Sequence, residues 1–392
     1  MANTLNLGNG NWATKEDSLL AYNAENGNFK PLPFDFTRAS SATVVNKAGL
    51  IETVGSGEPR IDFNNDAKGA LLLEPTRSNL LSYSNDFSNA DWINNGVTIN
   101  ANQVVSPNGA LNADLLTGVS GGFGVVKFST WTATNKVASC FAKKGSTDLF
   151  QISNKSSSNR YVIFDLSNGI VSEESTGWTG SIENFGNGWY RCTAISNSET
   201  GTFSLGVTAA SESVYIWGSQ LEQGSYPTSY IPTYGSVVTR VDDNIALTLP
   251  NSNSFNSSNG FTIFGEFISN GGSGASNSFI QADGNVGYLG FGSTGSVFRA
   301  RANDGTSNEL FNSSSSIFTD SKLALSVDSN GFSMYADGVS FANGNRDFSG
   351  INSLDNVIFR DGTEEFGSLR ISDFRIYNTR LTNSELQALT AI

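Results

Sequence analysis

The chain has 392 residues, 38% hydrophobic and 15% charged, with 36 Asp and Glu against 23 Lys and Arg, a net charge of −13 and no histidine. Such an acidic field repels phosphate backbones, so no nucleic-acid partner is expected, and the missing imidazoles remove His-based triads, His metal sites and the commonest general base. No apolar run reaches the roughly 18 residues of a helical membrane span, and the opening MANTLNLGNGNW lacks the basic and apolar regions of a secretory signal. No membrane partner is expected, and synthesis in a cytoplasm is.

The 41 glycines and 27 phenylalanines, on a background rich in Ser and Asn, suit many short strands joined by tight turns. The expected class is all-β: two antiparallel β-sandwich (jelly-roll) domains in tandem after an extended N-terminal attachment region, with one short C-terminal helix. The expected boundaries are 1–80 for the attachment region, 81–235 for the first sandwich, 236–249 for a linker and 250–392 for the second sandwich.

The front stretch carries Leu7, Trp12, Leu19, Leu20 and Tyr22, with Asn11 among them, on a segment of Asn, Gly and charge that reads as too short to bury them. Burial on a partner surface would stabilise such side chains by about 1.5–3 kcal/mol each, which makes the segment a candidate anchor. In FKPLPFDF the Pro-x-Pro forbids helix. ATVVNKAGLIETV reads as a hairpin turning at Asn46 to Gly49, and GALLLEPTRSNLL as a buried strand ended by Pro75.

From 81 to 235, strands such as KVASCFAKKG, RYVIFDLSNG, GWYRCTAIS and SVYIWGSQLE alternate with Gly/Asn/Ser punctuation, the spacing of an antiparallel sandwich. Cys140 and Cys192 sit in two of them and read as buried free thiols in preference to a disulfide. Trp189 and Trp217 read as core. Trp131 and Trp178 stand in loop-like contexts and are the candidates for stacking on a sugar.

In the last third, LALSVDSNGFSMYADGVSF contains two hairpins, with Asn330-Gly331 and Asp337-Gly338 supplying positive φ. LTNSELQALTAI places Thr382 and Glu385 at capping-box spacing, so a short helix is expected with Leu386 and Leu389 toward the sheet.

The chain contains no Glu-x-Asp-x-x-Glu pattern, nucleophile elbow, Walker loop or dinucleotide fingerprint. Its carboxylate clusters (Glu16/Asp17, Glu173/Glu174, Asp361/Glu364/Glu365) read as solvated turn charges, so no catalytic residue is assigned and no enzyme is expected. No cofactor is required. Calcium is the possible exception, with Asp242, Asp243, Asp283 and Asp328 as candidate ligands in RVDDN, QADGN and VDSNG, against the ordinary turn role of the same residues.

Three resemblances add to this reading. The YADG hairpin with LRISDFRIYNTRLTNSELQAL resembles laminin-G-like, concanavalin-type sandwiches over about the last 70 residues. FDFTRASSATVVNKAGLIETVGSGEPRIDF and GALLLEPTRSNLLSYSNDFSNADW, with VYIWGSQLEQGSYPTSYIPTYGSVVTRVDD at the far end, resemble a module of bacteriophage tail-fibre and related virion proteins that encloses a carbohydrate-binding-module-like jelly roll. LNLGNGNWATKEDSLLAYNAENG resembles a leader on structural proteins of crAss-like and other Bacteroidetes phages. Together they imply a virion structural protein, a head- or tail-attached fibre. It would be a homotrimer, held to a capsid or tail protein by the leading segment and adhering to host-surface or environmental glycans. A glycan-cleaving depolymerase and a ligand-free capsid decoration are the alternatives.

Overall fold

The structure is a computed structural model that describes residues 5–392 except 16–17, 24–27, 120–123, 128–134, 155–159, 197–200, 249–257, 271–276, 285–287, 295–296, 304–307, 317–319, 346–347, 349–353 and 360–367. It is nearly all β, and the strand pairings among the described residues are antiparallel, with the helix Asn383–Thr390 at the end.

The chain forms two compact units, and neither is continuous in sequence. The first comprises Met1–Ser41, Val54–Pro75 and Asp242–Ile392; the second comprises Ala42–Thr53 and Thr76–Val241. This corrects the expected boundaries. Residues 1–80 are not a separate region but are divided between the two units. Residues 236–249 are not a free linker either. Val238–Arg240 pairs with Arg77–Asn79 in the second unit, and Asn244–Thr248 pairs with both Asn28–Thr37 and Leu354–Phe359 in the first.

The second unit contains two six-stranded sheets. One runs Ile93–Asn95, Gly124–Lys127, Phe203–Gly206, Leu149–Asn154, Arg160–Asp165, Ile170–Glu174; the other runs Val97–Val105, Leu111–Gly118, Ser213–Gln223, Lys136–Lys144, Trp189–Ser196, Trp178–Asn184. Strand alternation sends Phe150, Ile152, Val162, Phe164, Phe203 and Leu205 of the first sheet and Ala138, Cys140, Cys192, Val214 and Ile216 of the second into one core. Cys140 and Cys192 face each other across adjacent strands, both buried and both free, and burial pushes both thiols up. Phe141, Trp189 and Trp217 point the opposite way and form a second cluster with Tyr230 and Ile51. Ile51 comes from the hairpin Ala42–Val45/Ile51–Val54, whose turn is fastened by Asn46 Oδ1 accepting from the N–H groups of Ala48 and Leu50.

In the first unit the strand Ser368–Tyr377 holds the centre of one layer. It pairs with Phe261–Asn270 on one side and, end to end on the other, with Ala70–Leu73 and Leu5–Gly8. Phe261–Asn270 continues to Ser321–Asp328, Gly331–Ala336 and Val339–Gly344, the meander read from LALSVDSNGFSMYADGVSF. A second run of strands passes from Ser18–Asn23 through Asn28–Thr37, Asn244–Thr248, Leu354–Phe359 and Asn277–Gly284 to Tyr288–Thr294. Leu7, Leu19, Phe34, Phe36, Leu71, Ile263, Leu325 and Phe374 share one core. The helix has the expected capping box, and Leu386 is buried against Phe264, Tyr335 and Tyr377 with Leu389 packed beside it.

Candidate functional site

Four segments that are far apart in sequence meet at one buried charge cluster in the first unit. FTRAS supplies Arg38, GEPRIDF supplies Arg60, LLLEPTR supplies Glu74 and TRVDDN supplies Asp243. Arg38 Nη1 donates to Asp243 Oδ1 at 3.0 Å, Arg60 Nη1 to Glu74 Oε2 at 2.8 Å, and Arg60 Nη2 to Asp243 Oδ2. All four side chains are shielded from water, at 0–2% exposure. Two cations against two anions leave the cluster neutral, the condition under which buried charge is tolerated. For Arg60, burial works against the charged form, but Asp243 and Glu74 outweigh it and raise its pKa.

The main chain is tied into the same cluster. Arg38 Nη2 donates to the Gly55 carbonyl at 2.6 Å and Nε to that of Ser40 at 2.8 Å, while the Arg38 carbonyl accepts from Gly57 N and Ser56 Oγ. Glu74 N donates to Asp243 Oδ2, and Asp243 N donates to the Glu74 carbonyl. Each of these residues lies within a few positions of a place where the chain leaves or re-enters the first unit (41/42, 53/54, 75/76, 241/242). Arg38, Arg60, Glu74 and Asp243 thus tie together the parts of the first unit near which the chain departs and returns.

This geometry removes Asp243 from the candidate calcium ligands. Both oxygens of Asp243 are engaged by guanidinium groups, so a cation would have to displace two paired charges. Asp242 Oδ2 accepts from Asn244 Nδ2 at 3.0 Å. Asp328 Oδ1 accepts from Asn330 N and Gly331 N and meets Arg380 Nη1 at 2.7 Å, which makes it a turn residue with its charge balanced. Asp283 lies on the strand Asn277–Gly284, its side chain outside the described residues. Among the described residues no group of three potential ligands converges on a metal position.

The premise behind the anchor is corrected as well. Leu7 is 2% exposed and Leu19 is fully buried, both in the core of their own unit. Trp12 is half-buried against that core, its indole N–H donating to the Gly69 carbonyl at 2.7 Å. Asn11 donates its N–H to the Gly8 carbonyl, and Leu20 is half-buried with its N–H bonded to the Ala13 carbonyl. Tyr22 is paired with Phe29 in a strand, its side chain outside the described residues. What a linear reading missed is the pairing of Leu5–Gly8 with Asp373–Ile376, some 370 residues away.

Of the two sugar-stacking candidates, Trp131 lies outside the described residues. Trp178 is corrected: a turn closed by its N–H to the Ser175 carbonyl makes it the first residue of a strand, and its ring is 4% exposed in the core. Trp189 and Trp217 are buried. Glu173 and Glu174, neighbours on one strand, are used locally: Glu173 accepts from the Tyr161 hydroxyl, Glu174 from Gly180 N. Glu266 and Asp373 do stand opposite each other on adjacent strands, a juxtaposition no local motif reveals. Burial raises both carboxyls, Asp373 against the opposing pull of Arg375. Asp373 is almost inaccessible and is gripped by Arg375 through Nε and Nη2, which suits a structural ion pair and not a nucleophile.

One exposed aromatic escaped the sequence reading because it is a tyrosine. Tyr83 and Tyr234 face each other across an isolated antiparallel bridge in the second unit, and Tyr234 is 78% exposed.

No protein-family model matches the sequence, and no curated protein sequence matches it. Among solved structures, it is similar over part of its length to botulinum neurotoxin type C, which interacts with two ganglioside molecules. That match has 16% identity and TM-score 0.33, with 38% of this chain and 39% of that one covered. The binding domain of botulinum neurotoxin DC in complex with rat synaptotagmin II matches at 15% identity and TM-score 0.33, covering 38% and 39%. The CBM40 of the Ruminococcus gnavus IT-sialidase, bound to α2,3-sialyllactose, matches at 18% identity and TM-score 0.29, covering 34% and 84%. The chain spans about two-fifths of the length of the toxin structures.

Proposed function

We propose that this chain is a structural protein of a phage virion, a fibre or other surface appendage that holds the particle to glycans and does not cleave them. The observation that carries the reading is the Arg38–Asp243–Arg60–Glu74 cluster. It joins residues from the three stretches that carry the tail-fibre-like resemblance, which supports reading those stretches as parts of one module. Within the module, the enclosed sandwich is the part offered to a ligand. Weak glycan contacts would be multiplied by the copies in a homotrimer and by the number of fibres on a particle.

Among the described residues, Asp373 is held by Arg375 and Glu173 and Glu174 by their neighbours, which favours an adhesive role over a hydrolytic one. With the leading strand part of the first unit's sheet, attachment to a capsid or tail protein would use a surface of that folded unit and not a loose greasy peptide.

The test is to purify phage particles from the producing cells and locate the chain by electron cryo-microscopy. Density for both units on a surface appendage is expected; a chain found only in the particle-free lysate refutes the reading. New reducing ends after incubation with host surface polysaccharide would establish the depolymerase alternative.

A further inference from the structure

We infer that Tyr234 and Tyr83 form the platform on which the second unit binds sugar, and that its ligand is the neutral, uncharged pyranose of a surface polysaccharide. The inference rests on the adhesive reading above and gives it a site. Isolated exposed hydrophobics need no explanation, but this surface is built. The two tyrosines are cross-strand partners, which puts their side chains on one face about 5 Å apart at Cβ.

The backbone beneath them is locked on both sides. Ser84 N donates to the Thr233 carbonyl, Thr233 N to Ser84 Oγ, and Gly235 N to the Ser82 carbonyl at 2.7 Å. Tyr83 is secured further by its carbonyl, which accepts from the Trp92 indole at 3.0 Å, and its ring leans on the core. Gly235 has φ +128°, where a side chain is strained, and a Cβ there would come within 3.5 Å of the Tyr83 hydroxyl. A rigid turn therefore holds Tyr234 out in water, where its ring gains nothing from the fold.

The surroundings choose the occupant. A pyranose has one face of C–H groups and a rim of hydroxyls, so it needs an exposed ring and nearby polar groups. Ser82 and the half-buried Asn85, which accepts from the Tyr230 hydroxyl, flank Tyr83 on its own segment, and Ser82 donates to Asp91. Tyrosine offers contact area at small cost in side-chain entropy. Asp91 and Asp86 are both exposed, and the chain's net charge is −13, so uronic and sialic acids are repelled. The exposed area is the Tyr234 ring and part of Tyr83, far short of the roughly 800 Å² per partner that a stable protein interface buries.

The experiment uses the full chain on an array of neutral polysaccharides (galactans, glucans, mannans) beside sialylated and uronate-containing ones. Calorimetry then follows on the neutral one retained best. Tyr234→Ala, Tyr234→Phe and, as a control, Val339→Ala on an exposed site of the other unit are compared at matched thermal stability. The expected result is retention of neutral glycans, weakened about tenfold or more by Tyr234→Ala and kept by Tyr234→Phe and Val339→Ala. Retention that survives Tyr234→Ala overturns this site and leaves the adhesive reading standing. Retention of anionic glycans alone overturns the ligand class. A Tyr234→Ala chain that still binds glycan but no longer joins particles makes the surface a protein contact, and a wild-type chain that retains no glycan overturns both this site and the adhesive role, leaving the virion placement to its own test.

Discussion

Leu19→Ala is the most informative single change, because it separates a leading segment that belongs to the fold from one that waits for a partner. Leu19 is fully buried among the first unit's core side chains, and Leu7, on the strand added to Asp373–Ile376, is 2% exposed. Truncating a leucine in such a setting costs about 2–5 kcal/mol, the lost transfer energy plus the cavity left behind. Leu20, half-buried on the same strand, should cost less, so Leu20→Ala is the internal control.

Total stabilities of about 5–15 kcal/mol leave room for one such loss but hardly for two, so single variants are preferred to the Leu7/Leu19 double. Urea denaturation of the purified chain, with hydrogen exchange followed at the strand Ser368–Tyr377, reads the first unit directly. We expect Leu7→Ala and Leu19→Ala to lower the unfolding free energy there by at least about 2 kcal/mol. Values within about 0.5 kcal/mol of wild type, the range of ordinary surface changes, would refute the burial argument and restore the free anchor.

Three further outcomes follow from the same structure. Asp243→Asn removes the carboxylate shared by Arg38 and Arg60 and should destabilise the first unit by about 3–5 kcal/mol, read by urea melts; adding Arg38→Gln, which restores neutrality, should recover part of the loss. Asp114 is buried beneath the backbone N–H groups of Asn102 and Phe87, and burial raises its pKa from 3.8 to about 6. The native state therefore binds this proton more tightly than the unfolded chain, so the contribution is full below the ordinary carboxylate range and is lost as pH rises through about 6. Wild type should gain on Asp114→Asn when urea midpoints are taken at acidic instead of neutral pH, and a constant gap would count against the assignment. Thr382→Ala removes one half of the capping box and should cost about 0.5–2 kcal/mol, seen as faster exchange in Asn383–Thr390.

Period-two alternation and turn chemistry are local, and they were legible. The all-β class, the Asn46 and Asp337-Gly338 turns, the capping box and the buried Trp189 and Trp217 follow from residues within a few positions of one another. Trp178 shows the limit of that locality. Its neighbours Ser, Thr and Gly read as a loop, yet one turn hydrogen bond makes it the first residue of a strand with its ring in the core.

What the chain's own order determined was its composition of strands and turns; which strands share a sheet was decided only by the tertiary structure. Leu5–Gly8 finds its hydrogen-bonding edge on the last long strand, and Arg38, Arg60, Glu74 and Asp243 find one another across some 200 residues. Such pairings depend on which apolar faces close on a common core and which buried charges must be neutralised. Those conditions involve the whole chain, and no window of sequence contains them.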